Sequence, residues 1–293
     1  MKALVISGGG SKGAFAGGVA QFLINDSNKK YDLFLGTSTG SLLIFHLALN
    51  KIDKIKDVYT SVTQNSIFSN CPFTIKKKHG IDNISINHFN VLKNFLRKSK
   101  TFGESKNLRK LIGNVITQEE FLELKKSALE IIVTVSNLST NEVEYKSIND
   151  YEYEDFLDWI WISCNYVPFM SLVKKEGCEY ADGGFAVMIP IEEAIRKGAT
   201  EIDVIVLETE VKQLNRMPSR NAFSLLANLF EFVMDRLESQ NIKLGIKLGQ
   251  LNNVKINLYF TPTILTTNSL IFDKTKMLEW WTKGYEYAKN KSQ

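Results

Sequence analysis

Three short stretches of this sequence carry residue types that could perform nucleophilic chemistry together. The first is Leu35-Gly36-Thr37-Ser38-Thr39-Gly40-Ser41, a G-x-S-x-G pentapeptide that follows the apolar run Leu33-Phe34-Leu35 and precedes a helical segment. Between strand and helix, such a pentapeptide makes a sharp turn. It lifts the serine hydroxyl above the sheet, at a helix N-terminus where developing negative charge is favoured. Glycines flank the serine because side chains there would strike the adjacent strand and helix. The second stretch is Gly8-Gly9-Gly10-Ser11-Lys12-Gly13, directly after the apolar strand at residues 2–6. A glycine-rich loop between strand and helix presents backbone N–H groups to an anion, whether a bound phosphate or a transient oxyanion. The third is Asp182-Gly183-Gly184, at the end of the short strand Glu179-Tyr180-Ala181.

If Ser38 attacks an ester carbonyl, N–H groups of Gly9 and Gly10, with Thr39, are placed to hold the oxyanion, and some base must take the serine proton. Histidine is the usual base, and the chain has only His46, His79 and His88. His46 lies two turns into the helix after the elbow, pointing away from its apex, and the other two fall in a basic segment. None occupies the late loop in which an α/β-hydrolase keeps its histidine. Asp182 is the remaining candidate, since the glycines after it let the backbone turn tightly at a strand end. A competing reading makes Gly8–Gly13 a dinucleotide fingerprint with Asp32 as the ribose acid. It is disfavoured because Asp32 precedes the second strand rather than closing it, and because it leaves Ser38 and Asp182 unexplained.

The elements needed to position these groups are legible. Residues 2–6 read as a buried strand, and Ala14–Leu23 as a helix with Phe15, Val19, Phe22 and Leu23 on one face. The elbow strand and an apolar helix from Ser41 to Leu49 follow. This order predicts a parallel sheet with crossover helices. Glu130–Val135 is a further core strand, with Glu142–Tyr145 as a hairpin partner. Asp155–Cys164 reads as an aromatic helix, and Pro190 opens another through Lys197, with Gly198 as its cap. Asp203–Leu207 and Val254–Phe260 read as strands, and 220–243 and 274–290 as helices.

The 293 residues carry a net charge of +4, too mild to imply a nucleic-acid polymer. Residues 51–110 hold 13 Lys or Arg against 4 Asp or Glu, so the rest of the chain is net acidic. Aromatics interleave with this charge, which suits either an inserted lid or a solvated face. The three cysteines, Cys71, Cys164 and Cys178, are too scattered for a disulfide framework or a metal knot. No metal site or cofactor is expected. No apolar run reaches the ~18 residues that span a bilayer, and the N-terminus does not read as a signal peptide. The expectation is a cytoplasmic protein with peripheral membrane contact, the alternative being export by a route that leaves no N-terminal mark.

Together, Gly8–Gly13, Gly36–Gly40 and Asp182–Gly184, in this order and on these elements, resemble the patatin-like phospholipases, which hydrolyse lipid esters with a serine–aspartate dyad. The resemblance covers roughly residues 1–50 and 125–207. It implies a three-layer α/β/α sandwich with a mainly parallel central sheet. It makes Ser38 the nucleophile and Asp182 the base, with Gly8, Gly9, Gly10, Lys12 and Gly13 forming the oxyanion loop. Gly36 and Gly40 are then the elbow glycines, and Gly183 and Gly184 complete the aspartate motif. Residues 1–210 would form the catalytic domain, with an insertion at about 51–110. Residues 211–293 would add helices and one strand packed on the same domain. Two departures stand out. Met188 occupies the place of an asparagine found in many members, and Ser163–Pro168 matches the family's serine–proline segment only loosely. The implied partner is a phospholipid or lysophospholipid at a membrane surface. A short-chain esterase, a nucleotide-activated membrane-degrading effector and a non-catalytic binding scaffold are the alternatives.

Overall fold

The structure, a computed structural model, describes residues 1–78, 81–211 and 222–292. His79 and the start of the expected 220–243 helix lie outside them. The chain runs β1 (Lys2–Ile6), α1 (Gly13–Gln21), β2 (Leu33–Thr37), α2 (Thr39–Ala48), α3 (Ile52–Ser61), α4 (Gln64–Ile67), β3 (Phe73–Lys78), β4 (Ile81–Ile86), α5 (His88–Leu96), α6 (Lys106–Val115) and α7 (Gln118–Lys126). It continues through β5 (Glu130–Asn137), β6 (Glu142–Ser147), α8 (Tyr153–Ser163), β7 (Val173–Lys175), β8 (Cys178–Asp182), α9 (Ile191–Arg196), β9 (Glu201–Thr209), α10 (Ala222–Leu251), β10 (Lys255–Thr261) and α11 (Lys274–Lys291).

Five strands run parallel in the order β10-β9-β1-β2-β5. Both faces of this sheet are covered, which is why its inner strands β1, β2 and β5 are almost continuously buried, whereas the edge strand β10 alternates. Ala3 and Val5 of β1 face a layer made by α9 and α10, while Leu4 and Ile6 face a thicker one that includes α1, α2, α3, α8 and α11. This is the expected α/β/α arrangement with a mostly parallel central sheet.

The antiparallel end of the sheet creates the junction that matters for chemistry. β6 pairs with Ile132–Asn137 of β5 along one edge. The opposite edge of β5 is shared by two strands meeting end to end. β2 pairs up to Thr37, opposite Thr134, and β8 takes over from Asp182, opposite Val135. The residue after Thr37 and the last residue of β8 are therefore brought together by adjacent positions of one strand.

The stretch 51–110 divides. Ile52, Ile55 and Tyr59 of α3, and Leu108 of α6, belong to the main core. Between them an antiparallel hairpin, β3–β4, pairs Phe73 with Ile86 apart from the main sheet. Nothing in the spacing of residues 51–110 marks this hairpin in advance. The α7 start is fixed by a reciprocal cap: Thr117 Oγ1 accepts from Glu120 N–H at 3.2 Å, and Glu120 Oε2 accepts from Thr117 N–H at 3.0 Å.

Candidate active site

β2 ends at Thr37 and α2 starts at Thr39, so the whole reversal falls on Ser38. Its backbone sits at φ 53 and ψ −120, a sparsely populated conformation for a residue with a side chain. Surrounding contacts hold it there. Ser38 N–H donates to Ser163 Oγ at 2.9 Å, and Cys164 Sγ donates to Ser38 O at 3.0 Å, both from the C-terminal end of α8. Ser163 Oγ also lies 2.8 Å from Ser41 Oγ and 2.7 Å from Thr134 O. The elbow packs too tightly for side chains at its glycines. A methyl on Gly40 would stand 2.3 Å from Ile6 O, and one on Gly36 would stand 2.4 Å from the Gly40 carbonyl carbon.

Ser38 Oγ donates to Asp182 Oδ2 at 2.6 Å. The other carboxylate oxygen, Oδ1, accepts from Gly184 N–H at 2.8 Å. Gly183 packs on the Thr134 carbonyl and anchors the turn after Asp182 to β5. Burial pushes the Asp182 carboxyl up to about 7, against the Ser38 and Gly184 hydrogen bonds, which favour the carboxylate. A side chain ionising there is suited to accept a proton near neutral pH.

The glycine loop lies against the elbow. A methyl on Gly8 would come within 3.2 Å of Ser38 Cβ. Within the loop the N–H groups have different fates. Gly8 N–H donates to Met188 O, Ser11 N–H to Ser269 O, and Lys12 N–H to Gly9 O. Gly13 N–H turns back to Gly10 O and Ser11 O. Gly9 and Gly10 N–H groups have no acceptor among the described residues. Of the five expected loop positions, only these two keep an open donor. Thr39, as the first residue of α2, adds an N–H with no acceptor inside the helix. Gly10 takes a φ of +54, and its carbonyl accepts from Thr39 Oγ1 at 2.7 Å and Tyr59 OH at 2.6 Å. The Lys12 ammonium is paired with Glu208 rather than free.

Ser38, Asp182 and Gly8–Gly10 open into a cavity of about 1300 Å³. Its wall is largely apolar, with Ile55, Leu108, Ile112 and Val115 contributed from α3 and α6. His46 also lines it, but burial lowers that imidazole to about 4 despite Glu120 at 3.6 Å, so it stays neutral and remote from the elbow. His88 lies at the start of α5, on the surface. Asp32 accepts from Lys2 N–H at 2.7 Å, at the far end of the sheet from the glycine loop. Among the described residues no three His, Cys, Asp or Glu side chains gather as a metal site requires.

Sequence reasoning did not assign Ser163, Ser41, Cys164, Tyr59 or Ser269. The loosely matched Ser163–Pro168 segment was the one available signal. Met188 packs its sulfur on Gly8, and Asn241 of α10 supplies an amide oxygen that accepts from Met188 N–H at 2.9 Å.

This geometry is accompanied by similarity to known proteins. The patatin-like phospholipase family model matches residues 4–195, well over half of the chain, and the chain belongs to that family. It is 24% identical over 229 residues to YjjU of Escherichia coli (strain K12), itself described as uncharacterized, covering 74% of this chain and 54% of that one. The chain thus spans about half the length of that relative. Among solved structures, VipD from Legionella pneumophila is similar with a TM-score of 0.51 over 99% of this chain and 66% of its own, at 15% identity. At that identity the likeness is one of fold. No helix among the described residues is long and apolar enough to cross a membrane.

Proposed function

We propose that the chain is a lipid acyl hydrolase that cleaves the carboxylic esters of phospholipids or lysophospholipids, with Ser38 as nucleophile and Asp182 as its base. The observation that carries this reading is the 2.6 Å hydrogen bond from Ser38 Oγ to the buried Asp182 carboxylate at the wall of a large apolar cavity. Ser38 Oγ adds to the ester carbonyl carbon as its proton passes to Asp182 Oδ2. The carbonyl oxygen becomes an oxyanion and is held by Gly9 and Gly10 N–H with Thr39 N–H. Losing one such donor typically costs about 10²–10³ in rate. The intermediate collapses when Asp182 returns the proton to the leaving alkoxide. Water then cleaves the acyl-serine by the same steps, releasing a fatty acid and restoring Ser38.

A long acyl chain rather than a short one is favoured by the cavity. Its size exceeds the roughly 300–1,000 Å³ of ordinary small-ligand pockets, and Ile55, Leu108, Ile112 and Val115 offer it apolar contact without polar partners. The test is fatty-acid release from mixed lipid vesicles, read by mass spectrometry. Ser38→Ala and Asp182→Asn should each lower it by at least ~10³-fold while circular dichroism melting stays cooperative. A folded variant keeping more than a tenth of the parent rate would overturn the dyad.

A further inference from the structure

Helix α5 is built with its polarity reversed. Surface helices normally bury an apolar stripe and expose a polar one. Here Phe89, Leu92, Phe95 and Leu96 fall at helical spacing on the outside, exposed by 76%, 57%, 55% and 78%. The inward face is amide. Asn94 is 1% exposed, accepts from Asn70 Nδ2 at 2.8 Å and donates to Thr101 O at 3.2 Å. Asn90 Nδ2 donates to Cys71 O at 2.9 Å, and Asn70 Nδ2 also reaches Asn90 O at 3.1 Å. Rolling the helix to hide its apolar stripe would strip these buried amides of their partners, a loss that outweighs ordinary hydrogen-bond gains. The outward orientation is therefore fixed by the body of the protein.

The charge around that stripe has one sign. From residue 83 to 103 there is no Asp or Glu, while Lys93, Arg97, Lys98 and Lys100 all occur. Lys100 pairs with Glu179 at 2.5 Å. Lys93, Arg97 and Lys98 are exposed and have no carboxylate partner among the described residues.

The stripe also borders the cavity. Phe95 meets Phe102 at a ring separation of 6.1 Å, Phe102 meets Phe169 at 6.0 Å, and Phe169, which lines the cavity, meets Phe230 of α10 at 6.5 Å. On α10, Leu225, Leu229, Phe232 and Val233 form a second exposed apolar stripe at helical spacing, and Phe232 lines the cavity as well. Two outward apolar stripes thus flank one cavity, one of them set among cations that have no carboxylate partner among the described residues.

We propose that α5, with the exposed stripe of α10, docks this face on an anionic phospholipid bilayer, so that the cavity opens against the lipid. An apolar stripe with flanking cations is the composition that seats a helix in the headgroup–acyl boundary, and contiguous exposed apolar surface marks interaction sites. The surface follows from the geometry alone, but its purpose rests on the lipid-hydrolase reading above. Docking of Phe89 and Leu96 removes their apolar area from water, and Lys93, Arg97 and Lys98 gain the negative surface potential.

The test separates docking from hydrolysis by using the full chain carrying Ser38→Ala, which leaves vesicles intact. It is mixed with vesicles of phosphatidylcholine plus phosphatidylglycerol, or of phosphatidylcholine alone, and the bound fraction is read by flotation. The expected result is binding to the anionic vesicles that weakens with salt. Phe89→Ser with Leu96→Ser should lower the partition coefficient more than about tenfold. Neutralising Lys93, Arg97 and Lys98 to Gln should lower it about fivefold per charge. Thermal melting should match the parent in both cases, since these side chains make no core contacts. Equal binding by parent and variants, or no binding by the parent, would overturn the proposal. So would a concentration-dependent dimer in sedimentation velocity that Phe89→Ser with Leu96→Ser dissolves, because the stripe would then belong to a second copy of the chain. Failure of the Ser38 reading would show instead as absent fatty-acid release by the chain with Ser38 intact, while docking of the Ser38→Ala chain is unaffected.

Discussion

At the residue scale, the proposed dyad has a carboxylate do what an imidazole does elsewhere. Asp182 is buried, and that burial lifts its carboxyl to about 7 even though Ser38 and Gly184 both donate to it. Only the ionised form can take the Ser38 proton. Ester turnover should therefore rise with pH and level off above an apparent pKa near 7. A pH profile of kcat flat from 5 to 9 would contradict the assignment. The sign of the stability effect is opposite. The folded chain holds this proton to about 7, whereas the unfolded chain releases it near 3.8, the ordinary value for an aspartate. The folded state thus binds more protons across that window, and stability falls as pH rises through it. At about 1.4 kcal/mol per unit, the cost approaches a few kcal/mol. Asp182→Asn removes it, so melting temperatures of parent and variant should diverge in the variant's favour between pH 4 and 8.

At the element scale, α2 and the 51–110 stretch line the cavity that the proposed acyl ester would enter. Thr39, Leu42 and His46 recur at helical spacing along the cavity, so it runs beside α2 away from Ser38 for about 12 Å of helix rise. Val115 of α6 lines the same cavity and its backbone approaches His46, at the end remote from the elbow. Val115→Trp should fill that end and shift kcat/KM toward short acyl chains by at least about tenfold, read with a series of esters of increasing chain length. An equal change for all lengths would place the acyl chain elsewhere. What the sequence could reveal divides along the same line. The strand–loop–helix–strand–elbow–helix order was legible because each glycine motif is local and each strand is a short apolar run. The β3–β4 hairpin was not, because Lys76, Lys77 and Lys78 overwrite the alternation that marks a strand. α10 was expected to stop at 243 but runs to Leu251, since Gly245 and Gly249 pack on Ile191 and Ile256 rather than ending the helix. In α5, Phe89, Leu92, Phe95 and Leu96 recur at the spacing of a helix, so the element itself is legible. Periodicity carries no sign, however, and only the asparagine contacts show which side faces out. Ser163 reaches the elbow across 125 residues, a contact that no local pattern encodes.

At the scale of the whole molecule, the family match ends at residue 195, yet the chain beyond it holds the glycine loop in place. The segment between β10 and α11 lays Ser269 O against Gly10 and accepts Ser11 N–H at 2.8 Å. Gln64 of α4 clasps the same segment, donating to Leu270 O at 2.9 Å and accepting from Phe272 N–H at 3.1 Å. Its other anchor is α11, which packs backbone to backbone on α1, the helix that leaves the glycine loop. A methyl on Gly18 would stand 1.9 Å from Trp281 O, and one on Gly284 would stand 2.1 Å from Phe15 O. Helices that approach so closely cannot absorb a branched side chain without separating, at a cost of at least about 1–3 kcal/mol. Gly284→Val should therefore lower the melting temperature. It should also reduce turnover of a short ester in the folded fraction, because displacing α11 shifts the Ser269 segment that fixes the Gly10–Ser11 peptide. An unchanged melting temperature would contradict the close packing. A lowered one with turnover per folded molecule intact would show that the segment holds the loop through Gln64 alone, and that the double substitution with Gln64→Ala is needed to loosen it.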